Sequence, residues 1–123
     1  MRVKMGLDKI KSMFDISGKV AVITGGSGGF GRAAAMGLAA YGARVVVTSR
    51  TLSSLEESVL EVEIQGAEAL AISCDVTDAD SVSALAKQVV ELFGQIDILV
   101  TGAGLAARHP AVDMPIDVWQ KVM

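Results

Sequence analysis

A glycine-rich turn between an apolar run and an alanine-rich run most constrains how this chain folds. Residues 19–32 are KVAVITGGSGGFGR, and five of the seven residues after Thr24 are glycine. The apolar, β-branched run 20–24 predicts a buried strand, and residues 32–40, rich in alanine and leucine, predict a helix. Because a strand that enters a helix through glycines presents free backbone N–H groups, the turn predicts an anion site.

Apolar runs alternate with helical patterns along the rest of the chain. Further strands are predicted at residues 43–48, 69–74 and 96–100, and further helices at 52–65, after Thr77 or Asp78, and from Pro115. Ser53 and Glu56 have the spacing of a capping box. Three glycines are predicted to end helices: Gly42, Gly66 and Gly94. The alternation is typical of an α/β fold with a parallel sheet.

The last three helices carry apolar residues three and four positions apart, which predicts one buried stripe on each. The stripes are Leu52, Leu55, Val59 and Val62, then Val82, Leu85, Val89 and Leu92, then Val118, Trp119 and Val122. The last pattern is still continuing at Met123, so we expect an incomplete domain.

Residues 1–14 are predicted to form an extension ahead of the α/β segment, which spans 15–123. Five apolar residues of the extension fall on one face of a short helix: Met5, Leu7, Ile10, Met13 and Phe14. We expect this face to pack on the domain or on a partner subunit. A helix on a membrane surface is the less favoured alternative, because Asp8 and Asp15 dilute its basic charge.

Composition and charge disfavour several partners and locations. The net charge of -3 gives no reason to expect nucleic acid as a partner. No apolar run approaches the ~20 residues needed to span a bilayer, and no signal peptide is expected. The single cysteine, Cys74, excludes an internal disulfide and fits a reducing compartment, so we expect a cytoplasmic protein. His109 is the only histidine, and no metal site is predicted.

Two glycine spacings for phosphate binding overlap in the turn. Gly-x-Gly-x-x-Gly starts at Gly26 and matches the general dinucleotide fingerprint. Thr-Gly-x-x-x-Gly-x-Gly starts at Thr24. No Gly-Lys-Ser/Thr follows, which excludes a Walker phosphate loop. We therefore expect the turn to bind a dinucleotide pyrophosphate through six residues: Gly25, Ser27, Gly28, Gly29, Phe30 and Gly31.

The second spacing resembles the glycine motif of the short-chain dehydrogenase/reductase family. Four more segments resemble that family: FDISGK at 14–19, CDVTD at 74–78, DILV at 97–100 and WQKVM at 119–123. The resemblance implies a Rossmann-type fold, with a doubly wound parallel sheet in the strand order 3-2-1-4 between two helix layers. It also implies that Asp75 and Val76 contact the adenine of a nicotinamide cofactor.

Residues 101–104 depart from the family pattern. Family members usually carry Asn-Asn-Ala-Gly after the fourth strand, where this chain has Thr101, Gly102, Ala103 and Gly104. The resemblance implies that these four residues border the cofactor. Thr101 offers a hydroxyl, whereas Gly102 offers no side chain, so we expect this corner to be held less tightly than in the family.

The end of the second strand predicts which nicotinamide cofactor is bound. An NAD site usually has an acid there that accepts hydrogen bonds from the ribose. Here Ser49 takes that position, and no carboxylate occurs between residues 43 and 55. Arg50 follows, flanked by Ser49 and Thr51, and an arginine beside two hydroxyls suits a ribose 2′-phosphate. We expect NADP(H), with NAD(H) less favoured; a solvated loop arginine is the alternative.

The family's catalytic groups are a Tyr-x-x-x-Lys pair, a Ser and an Asn. The only tyrosine here is Tyr41, and Val45 stands four residues later. The resemblance places the family's catalytic groups beyond Met123. We therefore expect the cofactor half of an oxidoreductase that moves a hydride between nicotinamide and a small carbonyl compound or secondary alcohol. We expect this segment alone to be inactive, and the complete protein to be a homo-oligomer.

Other interpretations remain open. A non-catalytic dinucleotide-binding module is the main alternative, while Ser49 and Arg50 disfavour a methyltransferase. Arg108 and His109 are expected at the surface, although the family's equivalent loop borders the substrate pocket. The opening segment and the TSR tripeptide hint at sugar-acid or acyl-thioester reductases. With the order 3-2-1-4, the fourth strand is an exposed edge, so we expect marginal stability or self-association.

Overall fold

The computed structural model describes residues 6–104 and 110–123 and contains every predicted strand. The strands are β1 (Val20–Thr24), β2 (Arg44–Ser49), β3 (Ala69–Ser73) and β4 (Ile98–Thr101). The helices are α1 (Leu7–Ser12), α2 (Gly29–Ala40), α3 (Glu56–Ile64), α4 (Ala79–Phe93) and α5 (Ile116–Val122), with 3₁₀ turns at Leu52–Leu55 and Ala111–Asp113. Arg108 and His109 lie outside the described residues.

The four strands form one parallel sheet in the order β3-β2-β1-β4, which confirms the order implied by the resemblance. The register places Thr24 of β1 opposite Thr48 of β2 and Thr101 of β4. Because the strands are parallel, all four carboxyl ends lie at the same edge. The glycine turn after β1 therefore meets the segments that follow the other three strands, as expected for a ligand site in such a sheet.

Helices cover both faces of the sheet, because the central strands point alternate side chains to opposite sides. On one face, Leu85 and Val89 of α4 belong to a core with Val46 of β2. On the other face, Ala35 of α2 and Val62 of α3 belong to a second core with neighbouring strand residues. This arrangement is the predicted three-layer αβα structure.

Several predicted boundaries are corrected by the structure. α2 begins at Gly29 rather than Arg32, because the glycines of the turn already form its first residues. The predicted helix 52–65 is a 3₁₀ turn followed by α3. The capping box of Ser53 and Glu56 is wrong, since Leu55 is the N-cap residue of α3 and no side chain caps that end. The second strand is shifted by one residue, β3 ends at Ser73, and β4 starts at Ile98.

The predicted helix ends are confirmed, but the predicted stripes are only partly buried. Positive φ angles follow the helices at three glycines: Gly42 (92°), Gly66 (83°) and Gly94 (85°). Leu85 and Val89 are buried as expected. Leu52, Val82 and Leu92 are exposed, because no described element packs over those parts of their helices.

The amino-terminal helix α1 does not pack on the domain. None of its residues is buried, and Leu7 and the following Phe14 are 75% and 80% exposed. The prediction that this face packs on the domain is therefore wrong for the described residues, while a partner subunit stays a prediction. α5 likewise has no buried residue, and Trp119 is half exposed.

The outer strand β4 leaves one side of the sheet open. Leu99 of β4 is 63% exposed. With Ile96 and Leu85 it lines an apolar groove of about 400 Å³ beside α4. The predicted exposed edge is thus present in the fold. Across residues 6–104 and 110–123, we find no helix with the length and apolar character to cross a membrane.

Candidate functional site

The glycine turn brings three backbone segments into direct contact. Gly25 has a φ of +67°, and a Cβ atom there would lie 2.5 Å from the carbonyl oxygen of Gly102. Gly31 is buried at the start of α2, and a Cβ atom there would overlap the carbonyl oxygen of Gly25. Only glycine permits both the positive φ and the close approach. The turn therefore presents bare backbone at the carboxyl edge of the sheet.

The turn is held by hydrogen bonds from two neighbouring elements. The Gly26 N–H donates to the Thr48 carbonyl of β2 over 3.1 Å. The Ser58 hydroxyl of α3 donates to the Gly26 carbonyl over 2.7 Å, and Ser58 is buried. Sequence reasoning missed Ser58, although a serine on the buried side of an apolar helix was the available signal. Its hydroxyl ties the turn to α3.

The first turn of α2 is open to a ligand. Its N-cap residue, Gly28, has no side chain that could cap the helix. The first N–H groups of any α-helix lack partners within the helix, and they carry a partial positive charge. Ser27, Gly28, Gly29 and Phe30 are all exposed, whereas Gly31 is buried. The helix start can therefore receive an anionic group.

Thr24 holds the corner formed by residues 101–104. Its Oγ1 accepts hydrogen bonds from the N–H groups of Gly102 (3.1 Å) and Ala103 (3.3 Å). A Cβ atom at Gly102 would lie only 2.7 Å from the Thr24 carbonyl oxygen. A threonine on β1 thus supplies hydrogen bonds to this corner, and Gly102 permits close packing there; that the corner is held less tightly than in the family stays a prediction.

A cleft of about 790 Å³ runs along the carboxyl edge of the sheet. Seven of the predicted binding residues line it: Gly25, Ser49, Arg50, Asp75, Val76, Ala103 and Gly104. The other eight are not among its lining residues: Ser27, Gly28, Gly29, Phe30 and Gly31 in the turn and α2, Thr51 after β2, and Thr101 and Gly102 at the end of β4. Their roles as binding residues stay predictions.

The segment after β2 is a network of hydroxyl groups around Arg50. Ser49 Oγ donates to the Thr51 carbonyl over 2.9 Å and lies 2.8 Å from Ser54 Oγ. The Ser73 hydroxyl of β3 donates to the Arg50 carbonyl over 3.0 Å. The backbone of Arg50 is thus fixed from both sides, while its side chain is exposed. Ser54 and Ser73 were not singled out from the sequence; Ser73 lies on β3, 23 residues from its partner Arg50.

Asp75 is an ionised carboxylate in the cleft. The hydroxyl and the backbone N–H of Thr77 both donate to Asp75 Oδ1, over 2.6 and 2.9 Å. These hydrogen bonds, with a smaller attraction from Arg50, lower the pKa of Asp75 despite partial desolvation. A carboxylate with this pKa accepts hydrogen bonds at neutral pH and does not act as an acid.

The described residues bring no catalytic constellation to the cleft. Tyr41 follows α2 at the end of that helix remote from the glycine turn, and it is 76% exposed. Cys74 is buried directly after β3. Within residues 6–104 and 110–123, no three His, Cys, Asp or Glu side chains are grouped so that they could hold a metal ion.

The fold and the site together define an α/β protein of the Rossmann type, in which a glycine turn opens a helix at the carboxyl edge of a parallel sheet. The family model described as short chain dehydrogenase matches residues 19–123. The chain belongs to this family of oxidoreductases, which confirms the resemblance seen in its sequence.

Individual relatives show the same relationship. L-rhamnose 1-dehydrogenase (NAD(P)(+)) from Sphingomonas sp. (strain SKA58) is 36% identical over 107 residues, which cover 86% of this chain and 42% of the relative. A metagenomic short-chain oxidoreductase in complex with NADP has a TM-score of 0.81 and 37% identity, covering 88% of this chain and 49% of its own. NAD+-bound xylitol dehydrogenase has a TM-score of 0.82 and 35% identity, with 87% and 42% covered. The chain spans less than half the length of these proteins.

Proposed function

We propose that this chain is the cofactor-binding part of an NADP(H)-dependent oxidoreductase. When bound, the nicotinamide cofactor supplies or accepts a hydride, and the substrate is a small carbonyl compound or secondary alcohol. The residues present fit such a cofactor, because Gly25 and Gly31 let the backbone of the turn pack closely and the start of α2 beside it carries no capping side chain. An open helix start, a cleft and an arginine lie along the same edge of the sheet.

Three parts of the chain each bind a different group of the dinucleotide. The backbone N–H groups at the start of α2 receive the pyrophosphate. Asp75 accepts a hydrogen bond from the adenine, in line with its ionised state, and Val76 packs against the adenine. Arg50 pairs with the ribose 2′-phosphate. The relatives support a nicotinamide cofactor without deciding between its two forms, since one bound NADP and another NAD+.

The observation that carries the preference for NADP(H) is the position of Arg50. It lines the cleft directly after β2, and the hydroxyls of Ser49 and Ser54 form a network with the Thr51 carbonyl beside it. A hydrogen bond to a charged group contributes about 1.5–3 kcal/mol. This corresponds to about a 10- to 150-fold preference for the phosphorylated cofactor, at ~1.4 kcal/mol per tenfold.

Titration of NADPH and NADH against the wild type and Arg50→Ala tests this preference. We expect Arg50→Ala to weaken NADPH binding and to leave NADH binding nearly unchanged. Arg44→Ala is the matched control, because Arg44 starts the same strand at its other end and its guanidinium lies 5.0 Å from the Phe93 ring centre. If Arg50→Ala keeps the wild-type ratio of the NADPH and NADH affinities, the proposal that Arg50 pairs with the 2′-phosphate is refuted.

A second candidate is a dinucleotide-binding module without turnover. Its support is limited to the glycine turn and the cleft, since Tyr41 follows α2 at the end remote from the turn. Both candidates require dinucleotide binding. An assay of the complete protein for cofactor oxidation with small aldehydes, ketones and keto acids distinguishes them, because the module binds NADPH and never turns it over.

A further inference from the structure

Thr48 is a buried residue of β2 whose hydroxyl lacks a hydrogen-bond partner. It is 1% exposed, and its Oγ1 atom has no partner among the described residues. A buried polar group without a partner destabilises the folded protein. The three residues before it are valines, which have nearly the same shape and carry no hydroxyl. Packing alone therefore does not explain a threonine here.

The surroundings of Thr48 connect it to the cleft. Thr48 lines the same cleft as Arg50 and Asp75, and its carbonyl oxygen accepts the hydrogen bond from Gly26 of the turn. Thr24, the residue opposite it on β1, has its own Oγ1 engaged by two N–H groups of the 101–104 corner. Of these two paired threonines, Thr48 is the one whose hydroxyl remains available to a ligand.

We propose that Thr48 is a binding residue for the adenosine half of the dinucleotide, which supplies the missing partner of its hydroxyl. This inference rests on the proposed function. A hydroxyl both donates and accepts, so it can pair with a ribose hydroxyl or a ring nitrogen. One rotation between staggered positions about Cα–Cβ moves its hydroxyl to the position that the methyl group held, while the methyl group moves to that of the β-hydrogen. Thr48 is assigned to the adenosine half because it lines the same cleft as Arg50 and Asp75, the residues proposed for the 2′-phosphate and the adenine.

The test compares the wild type with Thr48→Val, which removes the hydroxyl at constant shape, and Thr48→Ser, which keeps it. Calorimetric titration with NADPH and with adenosine 2′,5′-bisphosphate gives the affinities, and circular dichroism gives the melting temperature without ligand. We expect Thr48→Val to bind both compounds about 2- to 10-fold more weakly. We also expect its ligand-free melting temperature to rise, because an unpaired buried hydroxyl is removed, while Thr48→Ser keeps the wild-type affinities.

The other outcomes separate this inference from the proposed function. A wild-type chain that binds neither NADPH nor NADH refutes the proposed function and the inference with it. If the wild type binds and Thr48→Val binds equally well, the function stands and the inference is wrong. The inference is also wrong if Thr48→Val melts below the wild type, because the hydroxyl is then structural. Equal losses in Thr48→Ser and Thr48→Val would also refute the inference, because Thr48→Ser keeps the hydroxyl.

Discussion

Replacement of Gly31 by alanine tests the close approach on which the candidate site depends. Gly31 is buried in the first turn of α2, where an added Cβ atom would overlap backbone atoms of Gly25 and lie within 3.1 Å of the Gly26 Cα. These are backbone atoms of the turn, which is hydrogen-bonded to β2, and they cannot move aside as the end of a flexible side chain can. Overpacking costs about 1–3 kcal/mol, and the helix preference for alanine returns at most about 1 kcal/mol.

Gly37→Ala is a matched control in the same helix. Gly37 is exposed, and nothing lies within 4 Å of a Cβ atom built there. Alanine in place of glycine in a helix interior stabilises by about 0.5–1 kcal/mol. Since both alanines gain the helix preference, we expect Gly31→Ala to be less stable than Gly37→Ala by the overpacking cost of about 1–3 kcal/mol, or roughly 4–12 °C in melting temperature at ~4 °C per kcal/mol.

Thermal unfolding followed by circular dichroism measures this difference, and NADPH titration measures its effect on the site. We expect Gly31→Ala to bind NADPH at least tenfold more weakly, because the added methyl group displaces the N–H groups at the start of α2 from the turn. Gly37→Ala should bind as the wild type does. A Gly31→Ala variant as stable as Gly37→Ala, with wild-type affinity, would refute the close contact of the turn with α2.

Three further predictions concern support of the turn, the open edge and pH. Ser58→Ala leaves the Gly26 carbonyl without its hydrogen bond and should destabilise by about 1–3 kcal/mol in urea unfolding; an unchanged midpoint would contradict this support. Leu99→Lys places a charge on the exposed edge strand and should reduce self-association in light scattering, without loss of stability. Hydrogen bonds lower the pKa values of Glu61 and Asp75 in the folded chain. Because the unfolded chain then binds more protons in acid, the free energy of unfolding should fall below about pH 5, and a pH-independent midpoint between pH 3 and 6 would contradict this.

The sheet and its order could be predicted because the signals are local. β1 has the predicted bounds, Val20–Thr24, since an apolar β-branched run stands directly before a glycine turn. Gly94 ends α4 as predicted, with a left-handed backbone conformation. The family and the strand order followed from the motif that starts at Thr24. Each of these features depends on residues adjacent in the chain.

The failures concern features that neighbouring residues do not determine. Ser53 and Glu56 have capping-box spacing, but the chain first makes a 3₁₀ turn after Thr51, so the α-helix begins too late for Ser53 to cap it. Val82 and Leu92 lie on the predicted stripe of α4 and are still exposed. Periodicity shows which face of a helix is apolar, but not whether another element covers it.

The amino-acid sequence by itself determined the fold class, the family and the location of the glycine turn, since these depend on local residue patterns. Only the tertiary structure decided what holds the turn in place. Ser58 reaches Gly26 across 32 positions, and Thr24 reaches Gly102 across 78. The unpaired hydroxyl of Thr48 could not be predicted from the sequence either, because burial and hydrogen bonding depend on which distant residues the packed sheet and helices bring together.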